Sequence, residues 1–175
     1  MKEKRLIKKA INGNKKAFEE LILYYHKDLY KIARTRLSNE DDICDAIQET
    51  ILSVYNSLET LRDISKFKSW LITILINQCN SIYKKNSLSN IVSYESINAE
   101  KIYTENLLHT DIEFYSLIDK VDTDERTILI LHYVENYKLK EIANILQMNE
   151  ATVRSKLFRA KKKIQNDMKE DDYNE

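Results

Sequence analysis

Apolar residues recur along this chain at spacings of three and four, the period of an α-helix. Leu6, Ile7, Ala10 and Ile11 mark a short first helix, which Asn12-Gly13-Asn14 ends. Phe18, Leu21, Ile22, Tyr25, Leu29, Ile32, Ala33 and Leu37 make one face of a second, broken by Ser38-Asn39. A third starts near Asp41, whose carboxylate suits a helix N-terminus, and carries Ile43, Ile47, Ile51, Val54 and Leu58. A polar hinge from Glu59 to Lys66 precedes a fourth helix, from about Phe67 to Lys85. Most of its circumference is apolar. At 100° per residue, Ser69, Thr73, Asn77, Asn80 and Lys84 fall in one polar stripe about 80° wide, which ends in Lys84-Lys85.

The pattern fails between 86 and 110, where Ser, Asn and Glu dominate and apolar spacing is irregular. This stretch predicts a linker. Over 86–116, Glu95, Glu100, Glu105, Asp111 and Glu113 face only Lys101, so the linker is acidic. A second helical cluster begins near Asp111. Asp122 and Glu125 are spaced as a capping box ahead of Ile128, Leu129, Leu131, His132 and Val134. Asn136-Tyr137 turns the chain. Residues 139–146 form a short helix with Ile142, Ala143 and Leu146 apolar. Gln147-Met148-Asn149 turns it again, with Asn149 as N-cap, and a last helix runs from Glu150 past Ile164 into the acidic Glu170-Asp171-Asp172. The expected architecture is all-α: an N-terminal helical domain (1–85), a flexible acidic linker (86–110) and a C-terminal domain (111–175).

Composition supports this. One Gly and no Pro in 175 residues leave few helix breakers and make tight strand-joining turns improbable. The formal net charge is zero, 28 basic against 28 acidic side chains, but the two signs are segregated. Arg154, Lys156, Arg159, Lys161, Lys162 and Lys163 face a single Glu150; Glu40, Asp41, Asp42, Asp45 and Glu49 lie in a stretch without a basic residue. Cys44 and Cys79 sit in apolar helical patterns, which predicts buried, reduced thiols, and neither has a Cys or His partner at ligand spacing. No catalytic, metal or cofactor site is expected. The three histidines are scattered, and one Gly rules out a Gly-rich phosphate loop. The N-terminus lacks a signal-peptide apolar stretch, and the most apolar run (71–76) is far short of the roughly 20 residues a membrane span needs. A cytoplasmic location is therefore expected.

Two short helices joined by a turn of three residues form the helix-turn-helix pattern, here at about 139–158. In the second helix Val153, Leu157, Ala160 and Ile164 make one apolar stripe. Ser155, Arg159 and Lys162 lie opposite; Arg154 and Lys161 flank one side, Lys156 and Lys163 the other. Such a helix can pack one face on its domain, reach base edges with the other and neutralise phosphates with its flanks. Arg pairs two donors with guanine, and two of the chain's seven Arg are here. A solvated basic helix is the competing explanation. Asp45, Gln48 and Glu49 lie off the apolar face of the third helix and could dock on a basic partner, but by pattern alone a solvated face explains them better. Trp70 beside the polar stripe of the fourth helix could stack on bases, but the pattern alone favours a core tryptophan on a partly exposed helix.

In order and spacing the chain resembles the extracytoplasmic-function sigma factors from about Lys15 to Ile164. Ala17-Phe18-Glu19-Glu20-Leu21 through Tyr30 is similar to the family's opening helix, and Asp42-Ile43-Cys44-Asp45-Ala46-Ile47-Gln48-Glu49-Thr50 to its polymerase-docking motif. Phe67-Lys68-Ser69-Trp70-Leu71, with Ile74 and Asn77, is similar to its −10 helix. Glu141-Ile142-Ala143, and Ala151-Thr152-Val153-Arg154-Ser155-Lys156-Leu157-Phe158-Arg159-Ala160, are similar to its −35 helix-turn-helix. The resemblance implies a non-enzymatic transcription initiation factor with no small-molecule substrate. Its implied partners are core RNA polymerase (β′ clamp helices and β), promoter DNA and an anti-sigma factor, often membrane-anchored. Asp45, Gln48 and Glu49 would meet the clamp helices. The Glu59–Lys66 loop with Trp70, Asn77, Asn80, Lys84 and Lys85 would melt and hold the −10 strand. Arg154, Ser155 and Arg159 would read the −35 element, with Thr152, Lys156, Lys162 and Lys163 alongside, and the acidic linker would thread the polymerase near the nascent RNA path. The sequence departs from the family in having Val121-Asp122 for a usual Leu-Pro, Gln147 for a usual turn Gly, and Ser81 for a frequent Asp. The alternatives are a stand-alone helix-turn-helix regulator that binds operators without polymerase, and a helical adaptor with no nucleic-acid role.

Overall fold

The structure, a computed structural model, describes residues 2–89 and 118–172. All regular structure among them is helical. The chain divides into two compact units, Met1–Ile91 and Val92–Glu175.

The first unit holds α1 (Lys2–Ile11), α2 (Lys15–Arg34), α3 (Glu40–Ser57) and α4 (Phe67–Ser89). Gly13 takes the left-handed conformation (φ +81°) that releases the chain from α1 at little steric cost. Asn14 then caps α2, its side-chain oxygen accepting the Ala17 N–H at 2.9 Å. Every apolar residue expected on the second helix's face is buried, from Phe18 to Leu37. The cap of α3 is Asn39 rather than Asp41. Asn39 has an extended backbone and accepts the N–H groups of Asp41 and Asp42. Glu40, Asp41 and Asp42 fill the first turn instead, where the helix dipole favours negative charge.

The polar hinge is ordered by two 3₁₀ turns, Leu58–Thr60 and Ile64–Lys66. Asp63 starts the second by accepting from the Ser65 hydroxyl at 2.7 Å and the Ser65 N–H at 2.9 Å, bonds that hold its carboxyl below the usual range. In the bundle α1 lies on α2, α3 on α4, and α2 touches both α3 and α4. Leu21, Leu29, Ile32, Ile43, Phe67, Leu71 and Leu75 are fully enclosed. Polar ties pin the helices: Tyr25 donates to Glu3, Lys68 pairs with Asp28 at 2.9 Å, and Asn86 donates to Asp42 at 2.8 Å. α4 outruns its expected end at Lys85 by four residues, so Asn86 to Ser89 are helix, not linker. The rest of the expected linker, and the expected start near Asp111, lie outside the described residues.

The second unit holds α5 (Thr123–Leu129), α6 (Leu139–Leu146) and α7 (Glu150–Asp172). The expected capping box is present: Asp122 accepts from the Glu125 N–H at 2.8 Å and the Glu125 carboxylate accepts from the Asp122 N–H at 3.4 Å. α5 continues as a π turn, Ile130–Val134, with Glu135 N–H reaching the Ile130 carbonyl at 3.0 Å. The extra residue in that turn rotates Val134 outward, so the buried run is Ile128 to Leu131 and not the expected set through Val134. α6 ends on Gln147, which adopts the left-handed conformation (φ 53°, ψ 41°). The following Met148 N–H closes back on the Ala143 carbonyl at 2.9 Å, a Schellman arrangement. Asn149 starts α7 by accepting the Ala151 N–H at 2.8 Å, as expected. The core here is Ile118, Val121, Ile128, Leu131, Ile142, Ile145, Val153, Leu157 and Ala160; Ile145, not Leu146, is the third buried apolar side chain of α6.

Candidate nucleic-acid interface

On α7 the buried stripe and the solvent face separate as the periodicity requires. Val153, Leu157 and Ala160 are buried; Thr152, Arg154, Ser155, Arg159, Lys162 and Lys163 are exposed. Ser155 donates to the Ala151 carbonyl at 2.9 Å, and Arg154 pairs one turn back with Glu150 at 3.1 Å. Lys156 behaves differently. Its ammonium lies 3.3 Å from Asp124 and 3.6 Å from Asp122, and its side chain is only 17% exposed. It is folded against the first turn of α5 instead of standing out as a flank cation. Arg159 keeps 63% of its side chain exposed, with Nε 3.5 Å from the Glu125 carboxylate. The pattern also missed Phe158, 69% exposed next to the reading face. A large apolar residue one step outside the Val153/Leu157 stripe was the available signal.

In the first unit Asp45, Gln48 and Glu49 are all exposed on one face of α3, while Asp42 is held by Asn86. Leu52, 56% exposed, continues this face one turn on, and Tyr55 is exposed a turn further. Both fall off the Ile43/Ile47/Val54 stripe in the helical period, which is the signal the sequence offers for them. Cys44 is exposed on α3, contrary to the burial expected for both thiols: Ile43, Ala46 and Ile47 carry the buried face, and position 44 falls off it. Cys79 is buried, and that burial pushes its thiol up to about 12.

The polar stripe of α4 proves uneven. Ser69 and Thr73 turn their hydroxyls onto the carbonyls of Lys66 and Ser69. Asn80 is gripped from the end of α2: Arg36 donates to its side-chain oxygen from Nε at 3.1 Å and from Nη2 at 2.8 Å. Arg has no acceptor, so this pair fixes the Asn80 amide with oxygen toward Arg36. Asn77, Lys84 and Lys85 are exposed, and Trp70 is half-buried against Phe67 with ring centroids 6.1 Å apart. Spacings of seven bring Trp70, Asn77 and Lys84 to one face, within about 40°. Among the described residues no group of acids, His and Cys is arranged to hold a metal, and no helix is long and apolar enough to cross a membrane.

Sequence comparison matches residues 21–88 to the family Sigma-70 region 2 and residues 111–164 to Sigma-70, region 4. The first match spans α3 and α4, the second the helix-turn-helix. RNA polymerase sigma factor SigV of Bacillus subtilis is 31% identical over 138 residues, 79% of this chain and 82% of the relative. The ECF RNA polymerase sigma-E factor of Haemophilus influenzae is 26% identical over 178 residues, covering 94% of each. Among solved structures, the sigma factor RpoE in complex with the anti-sigma factor NepR from Bartonella quintana is similar with a TM-score of 0.70 and 25% identity, covering 88% of this chain and 98% of that one. The fold is also shared with CnrH in its complex with the cytosolic domain of CnrY, at a TM-score of 0.69, 22% identity and 98% and 99% coverage. With both sigma regions matched in order over the helices that the geometry singles out, the chain belongs to the extracytoplasmic-function sigma factors of the sigma-70 family.

Proposed function

We propose that this alternative sigma factor works through three separate faces, each binding and none catalysing a reaction. The outer face of α3, with Asp45, Gln48 and Glu49, docks on the clamp helices of the polymerase β′ subunit, and Leu52 adds an apolar contact to that acidic patch. The α4 face with Trp70, Asn77, Lys84 and Lys85, together with the Asp63-capped loop, holds the melted −10 strand; Asn80 contributes through the Arg36 tie. The exposed side of α7, with Thr152, Arg154, Ser155, Arg159, Lys162 and Lys163, binds the −35 element. Two domains at about 1–85 and 111–175, joined by an acidic segment, let these faces reach separate targets. The protein acts in the cytoplasm. The similar RpoE was captured with an anti-sigma factor, which supports one for this chain too.

The observation that carries the reading is the exposure of Asp45, Gln48 and Glu49 on a helix whose other side is closed core. A carboxylate face of this kind does nothing for the fold, and an operator-binding regulator has no use for it. Reversing Asp45 and Glu49 to Lys is expected to abolish co-purification with core RNA polymerase while leaving the helical content and unfolding midpoint unchanged. Undiminished capture of core by the double variant would remove α3 from the docking surface.

A further inference from the structure

The first turn of α5 sits beneath the middle of α7 and carries three acids, Asp122, Asp124 and Glu125, against two of α7's cations. Glu125 is the unusual one. Its side chain is only 9% exposed. A buried carboxylate is costly unless its charge is met. What meets it is the α5 N-terminus, the Asp122 N–H at 3.4 Å and the Arg159 Nε at 3.5 Å. Arg159 emerges from this contact with most of its side chain in solvent.

We infer that Glu125 is a positioning residue for promoter reading: it holds Arg159 by Nε and thereby selects which edge of the guanidinium meets the DNA. Arg can address a base side-on, through Nε and one terminal nitrogen, or end-on, through its two terminal nitrogens. The Nε edge lies in an ion pair with Glu125 at 3.5 Å, which biases the guanidinium toward meeting the O6 and N7 acceptors of a guanine with its end-on pair. The carboxylate also restrains a long side chain before DNA arrives, which lowers the ordering cost on binding. Lys156 is held by Asp122 and Asp124 in the same turn, so one helix start sorts its neighbours: Arg159 is aimed and Lys156 is withdrawn. The inference rests on Arg159 reading a base, as proposed above.

The test uses the full-length protein assembled with core polymerase, on a promoter with the preferred −35 element and on variants changed at each −35 base pair. The contacted pair is the one whose change weakens the wild type but not Arg159→Ala. Glu125→Gln removes the charge yet preserves the capping box, which accepts Gln as well as Glu. It is expected to leave the unfolding midpoint in place while lowering the preferred-to-altered binding ratio about fivefold, a part of what a bidentate Arg–guanine contact supplies. Glu125→Asp, too short to keep the contact, should do the same. In the Arg159→Ala background, Glu125→Gln should change the ratio no further, since the two residues act as one unit. An unchanged ratio in Glu125→Gln, beside a collapsed ratio in Arg159→Ala, would overturn the inference and leave the reading of Arg159 intact. Equal losses on both promoters for Arg159→Ala would overturn that reading and this inference with it. A fall in ratio that merely tracks a fall in stability would make Glu125 a structural cap and nothing more.

Discussion

Gln147 holds the turn between α6 and α7 with positive φ, a conformation that strains any residue with a Cβ. This chain accepts the strain, and its turn keeps the Schellman bond from Met148. Gln147→Gly should therefore raise stability by about 0.5–1 kcal/mol, the left-handed penalty less glycine's entropy cost, with no change in helical content. Chemical denaturation checks this, and a loss of stability would mean that the Gln147 side chain makes contacts worth more than the strain. The two cysteines differ as sharply. Cys79, pushed up to about 12 by burial, stays a neutral thiol at pH 7, and a maleimide should modify Cys44 alone in the native protein. The folded-state value lies above the ordinary 9.0, so the stabilisation is complete below about pH 9 and is lost as pH rises toward 12. Cys79→Ala should flatten that part of the stability profile. Spacing alone could not separate the two thiols, because Cys44 stands between Ile43 and the Ala46/Ile47 pair, one helical step from burial.

At the scale of the element, the apolar faces of α2 and α3 were legible because amphipathic periodicity and burial obey the same geometry. Helix starts were legible where a short polar side chain had an extended backbone to cap from, as at Asp122 and Asn149, and misplaced at Asp41, where three successive acids obscured Asn39. Two kinds of feature were not legible. The π turn at Ile130–Val134 breaks the very period used to read the helix, and pairings between helices, such as Arg36 with Asn80 or Lys156 with Asp124, leave no trace in local spacing. These pairings redraw the binding faces. Lys156 should add little to DNA affinity, and Lys156→Met should leave the slope of log K against log salt nearly unchanged, whereas Lys163→Ala should reduce it by about 0.9, one phosphate's worth, on every sequence. A full unit lost for Lys156→Met would show that its pairs with Asp122 and Asp124 open on binding. Inside the first unit, Phe67 begins α4 fully buried beside Tyr25 and Trp70. Phe67→Ala should cost about 3–5 kcal/mol by leaving a cavity between α2 and α4, measurable as a lower unfolding midpoint.

For the molecule as a whole, a net charge of zero conceals a division of labour. Carboxylates gather on α3 in one unit and cations on α7 in the other, so each unit is electrostatically suited to a different partner. As a sigma factor, the protein gives core RNA polymerase a promoter specificity it lacks alone. The direct measurement is run-off transcription from a template whose start site has been mapped after overexpression of this protein. Core polymerase alone should give no defined product; core with the wild-type protein should give one transcript from the mapped start, and core with the Asp45→Lys/Glu49→Lys variant should give none. DNA binding by the free protein together with no transcript when core is added would identify an operator-binding regulator instead of a sigma factor.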